Sequence, residues 1–172
     1  WGLAALSGFL ADMLGYRRAM LLAYALLAAG YAILGYVPGT VPVLLALLLV
    51  AVGASLVKPS ITGTVQKTCT EAQRSLGFSI YYMLVNIGGF LGPNIAGQIR
   101  TKAGENGASL SLTVSALSSV IALLIILFWF REPAPVPGVE RKRFADFATD
   151  FTRVIRNVRF LLLIVLVGVF WC

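Results

Sequence analysis

Four stretches of this chain, residues 19–37, 41–57, 76–99 and 108–130, carry no charged side chain and are each long enough to cross a bilayer. Hydrocarbon offers the backbone no hydrogen-bond partner, so a spanning segment must satisfy its own N–H and C=O groups as a helix. The chain is 59% hydrophobic and only 12% charged, whereas soluble domains carry about a quarter charged residues. These features predict an all-α, polytopic transmembrane helix bundle and exclude a soluble one. The same patterning excludes other function classes. A net charge of +7 is not a nucleic-acid footprint here, because the basic residues sit in particular loops and not on one folded face. Cys69 and Cys172 belong to no metal or redox spacing. With no His and no carboxylate deep in a complete span, no enzyme site can be assembled.

The sequence opens in an apolar segment, 1–10, and closes in another, 160–172, which is too short to span. It is therefore expected to be the middle of a longer protein, with no signal peptide to read. Pro38, Gly39 and Pro42 mark a tight turn between the first two spans, and loops are expected over 66–74 and 100–107. Lys and Arg divide unequally between the two ends of these spans. One side holds Arg17, Arg18, Lys67, Arg74, Arg131, Arg141, Lys142, Arg143, Arg153, Arg156 and Arg159; the other holds Arg100 and Lys102. The positive-inside rule assigns the first side to the cytoplasm of a multi-pass protein of the cell (inner) membrane.

Beyond Arg131, Pro133, Pro135, Pro137 and Gly138 cannot continue a helix and read as a linker. Phe144, Phe147, Phe151, Val154, Ile155 and Val158 then recur at helical spacing opposite Lys142, Arg143, Asp150, Arg153 and Arg156. A basic amphipathic helix of this kind lies along the membrane surface or against the bundle.

Three motifs carry chemistry. The first is Gly8-Phe9-Leu10-Ala11-Asp12-Met13-Leu14-Gly15-Tyr16-Arg17-Arg18, in which Gly8 permits close helix approach, Gly15 a tight turn, and Asp12 a cap or an arginine pair. The second, Gly53-Ala54-Ser55-Leu56-Val57-Lys58-Pro59-Ser60, places a lysine deep in an apolar helix. Such a charge must face water or an anion unless its stem snorkels to the interface. The third runs from Phe78 to Phe90 and includes Tyr82, Asn86, Gly88 and Gly89. An unpaired amide is costly in hydrocarbon, so Asn86 should face a bundle interior or a wet cavity. Tyr82, Asn86, Gly89 and Pro93 fall on one helical face. Packing between helices would use the same residues.

The first motif resembles the loop between helices 2 and 3 of the major facilitator superfamily, with Met13 where an arginine is usual. In that family it latches the cytoplasmic side. The second and third resemble the fourth- and fifth-helix signatures of the proton-dependent oligopeptide transporters, with Ala54, Ser55 and Ser60 departing from the fourth-helix pattern. The resemblance implies a twelve-helix fold of two six-helix halves, of which 1–131 is part of the N-terminal bundle (the end of helix 2 to helix 6). Residues 132–159 would form the cytoplasmic linker with its amphipathic helix, and 160–172 the start of the C-terminal bundle. It also implies proton-coupled symport of di- and tripeptides by alternating access, with Lys58, Tyr82 and Asn86 lining the cavity. The coupling lysine would work with glutamates on a helix 1 outside this chain. The partners implied are a peptide, protons and the lipid bilayer, with no nucleic acid, no metal and no cofactor beyond the proton gradient. Gly88, Gly92, Pro93 and Gly97 also resemble a kinked, small-residue motif of drug–proton antiporters, which keeps that activity as an alternative. A non-transporting receptor or assembly subunit with the same fold is the other.

Overall fold

A computed structural model describes residues 2–133, with side chains from residue 7 onward. Five α-helices follow one another: α1 (Gly2–Leu14), α2 (Tyr16–Tyr36), α3 (Thr40–Thr68), α4 (Glu71–Ala103) and α5 (Gly107–Trp129), with a 3-10 turn at Gly104–Asn106 between the last two. No strand occurs among the described residues. The run Glu71–Trp129 is helical over almost all of its 59 residues; as one straight helix it would be roughly 90 Å long, about three hydrocarbon thicknesses. Gly104 breaks it at φ +55, and Ala103, Gly104 and the following two residues turn the chain back so that α4 and α5 pack as a hairpin. The expected linker and amphipathic helix, apart from Glu132 and Pro133, and the expected start of a further span lie outside the described residues.

Each expected span is a helix, but the loops between them are shorter than the sequence suggests. Helix α3 continues to Thr68 and α4 begins at Glu71, so only Cys69 and Thr70 connect them. Arg100 and Lys102 belong to the last turn of α4, where cations complement the negative end of the helix dipole. Polar loops on paper thus become helix ends, because backbone pairing extends the helix beyond its apolar part.

Both α3 and α4 run through a proline, Pro59 and Pro93. Pro59 has no N–H to offer the carbonyl four residues earlier. Hydroxyls satisfy nearby carbonyls in the same stretch: Ser55 donates to Val52 O, Ser60 to Leu56 O, and Thr62 to Lys58 O. Helix α5 does the same, with Ser111, Thr113, Ser115, Ser118 and Ser119 each donating to the carbonyl four residues before it. A hydroxyl satisfied within its own helix can sit in an apolar bundle without a cross-helix partner.

Helix α2 is the hub, packing most extensively on α3 and then on α5. Its buried residues Ala19, Ala23, Leu27 and Gly30 recur at helical spacing, and Ala46, Gly53, Leu56 and Ser60 form the matching face of α3. The two backbones meet closely. A Cβ on Gly53 would lie 2.8 Å from Ala23 O, and one on Gly30 would lie 2.6 Å from Val50 Cγ2. At the opposite edge, Tyr36 and Thr113 share a hydrogen bond of 2.9 Å and Ser109 donates to Gly35 O at 2.8 Å, joining the end of α2 to the start of α5. Small residues at such a contact replace the hydrophobic drive that is missing between helices in lipid.

This contact gives a direct test. Gly53→Ala should force α2 and α3 apart, because the obstructing atom is backbone; overpacking of this kind costs about 1–3 kcal/mol. Thermal unfolding of the detergent-purified full-length protein should show a lower midpoint, and an unchanged midpoint would mean that the helices do not meet this closely.

Candidate functional site

The first motif folds into a compact knot at the end of the bundle where α1, α2, α3 and α5 meet. Gly15 sits between α1 and α2 at φ +87, a region that side chains with a Cβ rarely adopt. Its missing side chain makes room for a carboxylate: a Cβ there would lie 2.9 Å from Glu132 Oε1. Glu132 uses both oxygens. The Tyr16 N–H donates to Oε1 at 2.7 Å and the Arg17 N–H to Oε2 at 2.9 Å. These are the first two amides of α2, which have no partner within the helix and lie at its positive end. Arg17 in turn donates from Nη2 to the carbonyl of Leu127 at 2.7 Å, near the end of α5.

Tyr16 ties the remaining pieces together and is only 6% exposed. Its hydroxyl donates to Asp12 Oδ1 at 2.6 Å, one turn back on α1. Its ring fills the space over Gly63 of α3, where a Cβ would come within 2.6 Å of the ring. Lys67, one turn further along α3, places Nζ 4.6 Å from the ring centroid, within range of a cation–π attraction. Tyr16 belongs to the buried cluster of Ala11, Ala19, Met20 and Ile126, which draws on α1, α2 and α5.

The structure therefore brings Asp12, Gly15 and Arg17 into one network. Arg18 is exposed and takes no part in that network among the described residues. Gly8 faces α3 at the second motif, where a Cβ on it would lie 3.9 Å from Pro59 Cβ. Tyr16, Gly63, Lys67 and Glu132 were not singled out in the sequence. Two signals for them were present: Tyr16 is four residues from Asp12, and Glu132 stands directly before a proline.

The candidate cavity residues occupy α3 and α4. Lys58 is exposed, and among the described residues its side chain has no hydrogen bond or ion pair. It lies nine residues before Lys67, about 14 Å along the helix. On α4, Tyr82 is half exposed and its ring lies 5.1 Å from that of Tyr81. Asn86 is exposed without a hydrogen bond among the described residues. No described bond links Lys58 to either, and α3 and α4 touch only lightly. Helix α4 has no buried residue at all. A Cβ on Gly88, Gly92 or Gly97 would meet nothing within 4 Å among the described residues, and α4 continues through Pro93. Among the described residues, close helix approaches lie at Gly30, Gly53 and Gly63.

Comparison with known proteins places this geometry in a family. The family model of the Major Facilitator Superfamily matches residues 2–172. Dipeptide and tripeptide permease A of Citrobacter koseri is 27% identical over 160 residues, covering 90% of this chain and 32% of that protein. The di-/tripeptide transporter of Lactococcus lactis subsp. cremoris is 25% identical over 167 residues, covering 95% of this chain and 33% of the relative. The crystal structure of peptide transporter POT in complex with sulfate superimposes with a TM-score of 0.64 at 26% identity, over 99% of this chain and 36% of that one. The chain thus spans about a third of the length of the proteins it matches. Its apolar helices and these likenesses make it an integral, multi-pass membrane protein, and it belongs to the Major Facilitator Superfamily.

Proposed function

We propose that this chain is part of a transporter that carries small peptides across the cell (inner) membrane by alternating access, driven by the proton gradient and without chemical change of the substrate. The observation that carries the reading is Lys58. An ammonium deep in an apolar helix, exposed and without a described partner, is sustained by water or an anion. A peptide presents such an anion in its terminal carboxylate. Similarity to dipeptide and tripeptide permeases over nine-tenths of the chain supports the same substrate class.

Tyr82 and Asn86 complete the substrate side of the proposal. They are one turn apart on α4 and project from the same face, offering a hydroxyl and an amide to the backbone groups and termini of a peptide. Proton coupling rests on the family likeness, and on carboxylates that Lys58 would meet outside this chain. The basic-rich end, bearing the Asp12–Glu132 network, faces the cytoplasm under the positive-inside rule.

Lys58→Ala in the full-length protein should abolish proton-driven dipeptide uptake into proteoliposomes while leaving the protein folded; undiminished uptake would show that Lys58 takes no part in coupling. Asn86→Leu should weaken dipeptide binding by roughly ten- to a hundredfold, because one buried polar contact is worth about 1–3 kcal/mol. Affinities for a dipeptide and for a lipophilic cationic dye, measured on the same samples, decide the substrate class. Peptide affinity unchanged by Asn86→Leu, with dye binding retained, would assign the protein to drug–proton antiport.

A further inference from the structure

Glu132 lies just past the end of α5, where the chain leaves helical geometry at Phe130, φ −76 and ψ 121. A residue before a proline is in turn steered out of the helical region. Released from α5, Glu132 places its carboxylate at the start of α2, accepting from the amides of Tyr16 and Arg17. Arg17 closes the circuit by donating to Leu127 O, one of the last four carbonyls of α5, which have no acceptor role within the helix. Each helix end is completed by a residue from the other, across more than 100 positions of sequence. Gly15 is the only residue type that leaves space for the carboxylate at that backbone conformation.

We propose that Glu132 is a positioning residue of the transport cycle: it clamps the turn at Gly15–Arg17 to the end of α5, so that this turn, α5 and the point where the chain continues at Pro133 shift as one rigid piece. The proposal rests on the transport reading above. Alternating access moves one bundle against another, and a turn at the end of a moving bundle needs a fixed base. A single side chain supplies that base here. Any displacement of the chain beyond Pro133 is delivered within one residue to the carboxylate, and through its two hydrogen bonds to the first turn of α2. Asp12, Tyr16 and Lys67 then carry the same displacement to α1 and α3.

Two readouts on the full-length protein in proteoliposomes test this, and neither needs a substrate. The first is backbone hydrogen exchange at Tyr16 and Arg17, where Glu132→Ala should speed exchange at least tenfold. Glu132→Gln, which keeps the size but replaces one acceptor oxygen with a donor, should do so as well and serves if the alanine variant fails to fold. The second is the ratio of labelling from the two sides of the bilayer by a membrane-impermeant maleimide, with Tyr82→Cys as the probe in a background lacking the native cysteines. Both Glu132 variants should change that ratio at least threefold. Unchanged exchange overturns the clamp. Faster exchange with an unchanged labelling ratio overturns the positioning role, since a purely structural contact would behave in that way. Dipeptide binding by the protein with Tyr82 intact stands apart: its absence would refute the peptide reading and leave both readouts valid for the clamp.

Discussion

The constraint beneath this structure is that a chain immersed in hydrocarbon has to satisfy its backbone from within. That requirement turns each long apolar run into a helix and carries α3 and α4 through Pro59 and Pro93 without a break. It also governs the hydroxyls. Ser60, Thr62 and Thr64 on α3, and the five hydroxyl residues from Ser111 to Ser119 on α5, bond to carbonyls of their own helix. Most of this polar capacity is used up inside a helix, although Thr113 also meets Tyr36 of α2 and Ser111 also reaches Ala96 O of α4. Association then falls to close packing, and the α2–α3 contact meets that need by bringing Gly30 and Gly53 against the facing helix at distances that exclude a Cβ.

The ends of the helices follow the opposite logic. Beyond the apolar core the unpaired amides and carbonyls of the termini need partners, and here they find charged side chains. Glu132 takes the amides at the start of α2 and Arg17 takes a carbonyl near the end of α5. Tyr16 lies between these two regimes. Its ring is packed on Gly63 in the bundle while its hydroxyl reaches Asp12. A residue with an apolar body and a polar tip is suited to that boundary, and it couples the packing of α3 to the hydrogen bonds of the turn.

The membrane class and the long helices that hold the four charge-free runs were legible from those runs. Period and length determine these features locally. The first motif was legible as a unit, and the structure gathers its Asp12, Gly15 and Arg17 into one network. What the sequence did not disclose was the far side of each contact. Glu132 lies 116 residues from Tyr16, and nothing in local periodicity joins an acid after one helix to the amides before another. The glycines show the same division. Gly88, Gly92 and Gly97 are conspicuous because they cluster, and among the described residues the close approaches are made by Gly30, Gly53 and Gly63. Spacing identifies a face but not its neighbour, and only the neighbour decides whether a missing Cβ matters.

Burial is distributed unevenly between the helices, and this bears on how such a bundle could work. Helix α2 buries residues along its length, whereas α4 buries none. Helix α4 is held mainly at its ends. Gly77 lies against Cys69 and Val65 of the preceding segment, Ser111 of α5 donates to Ala96 O at 3.4 Å, and Gly107 is pressed onto Arg100. Between those attachments lie Tyr82 and Asn86, with a hydroxyl and an amide on one face and, among the described residues, no close neighbour at the adjacent glycines. An amide left against lipid at that depth would be costly. The middle of α4 therefore calls for a polar surrounding that the described helices do not supply, such as a water-filled cavity or a facing helix. A helix anchored at both ends and polar at its centre can meet a changing environment there without unpacking the α2–α3 core, which alternating access would require of a cavity wall.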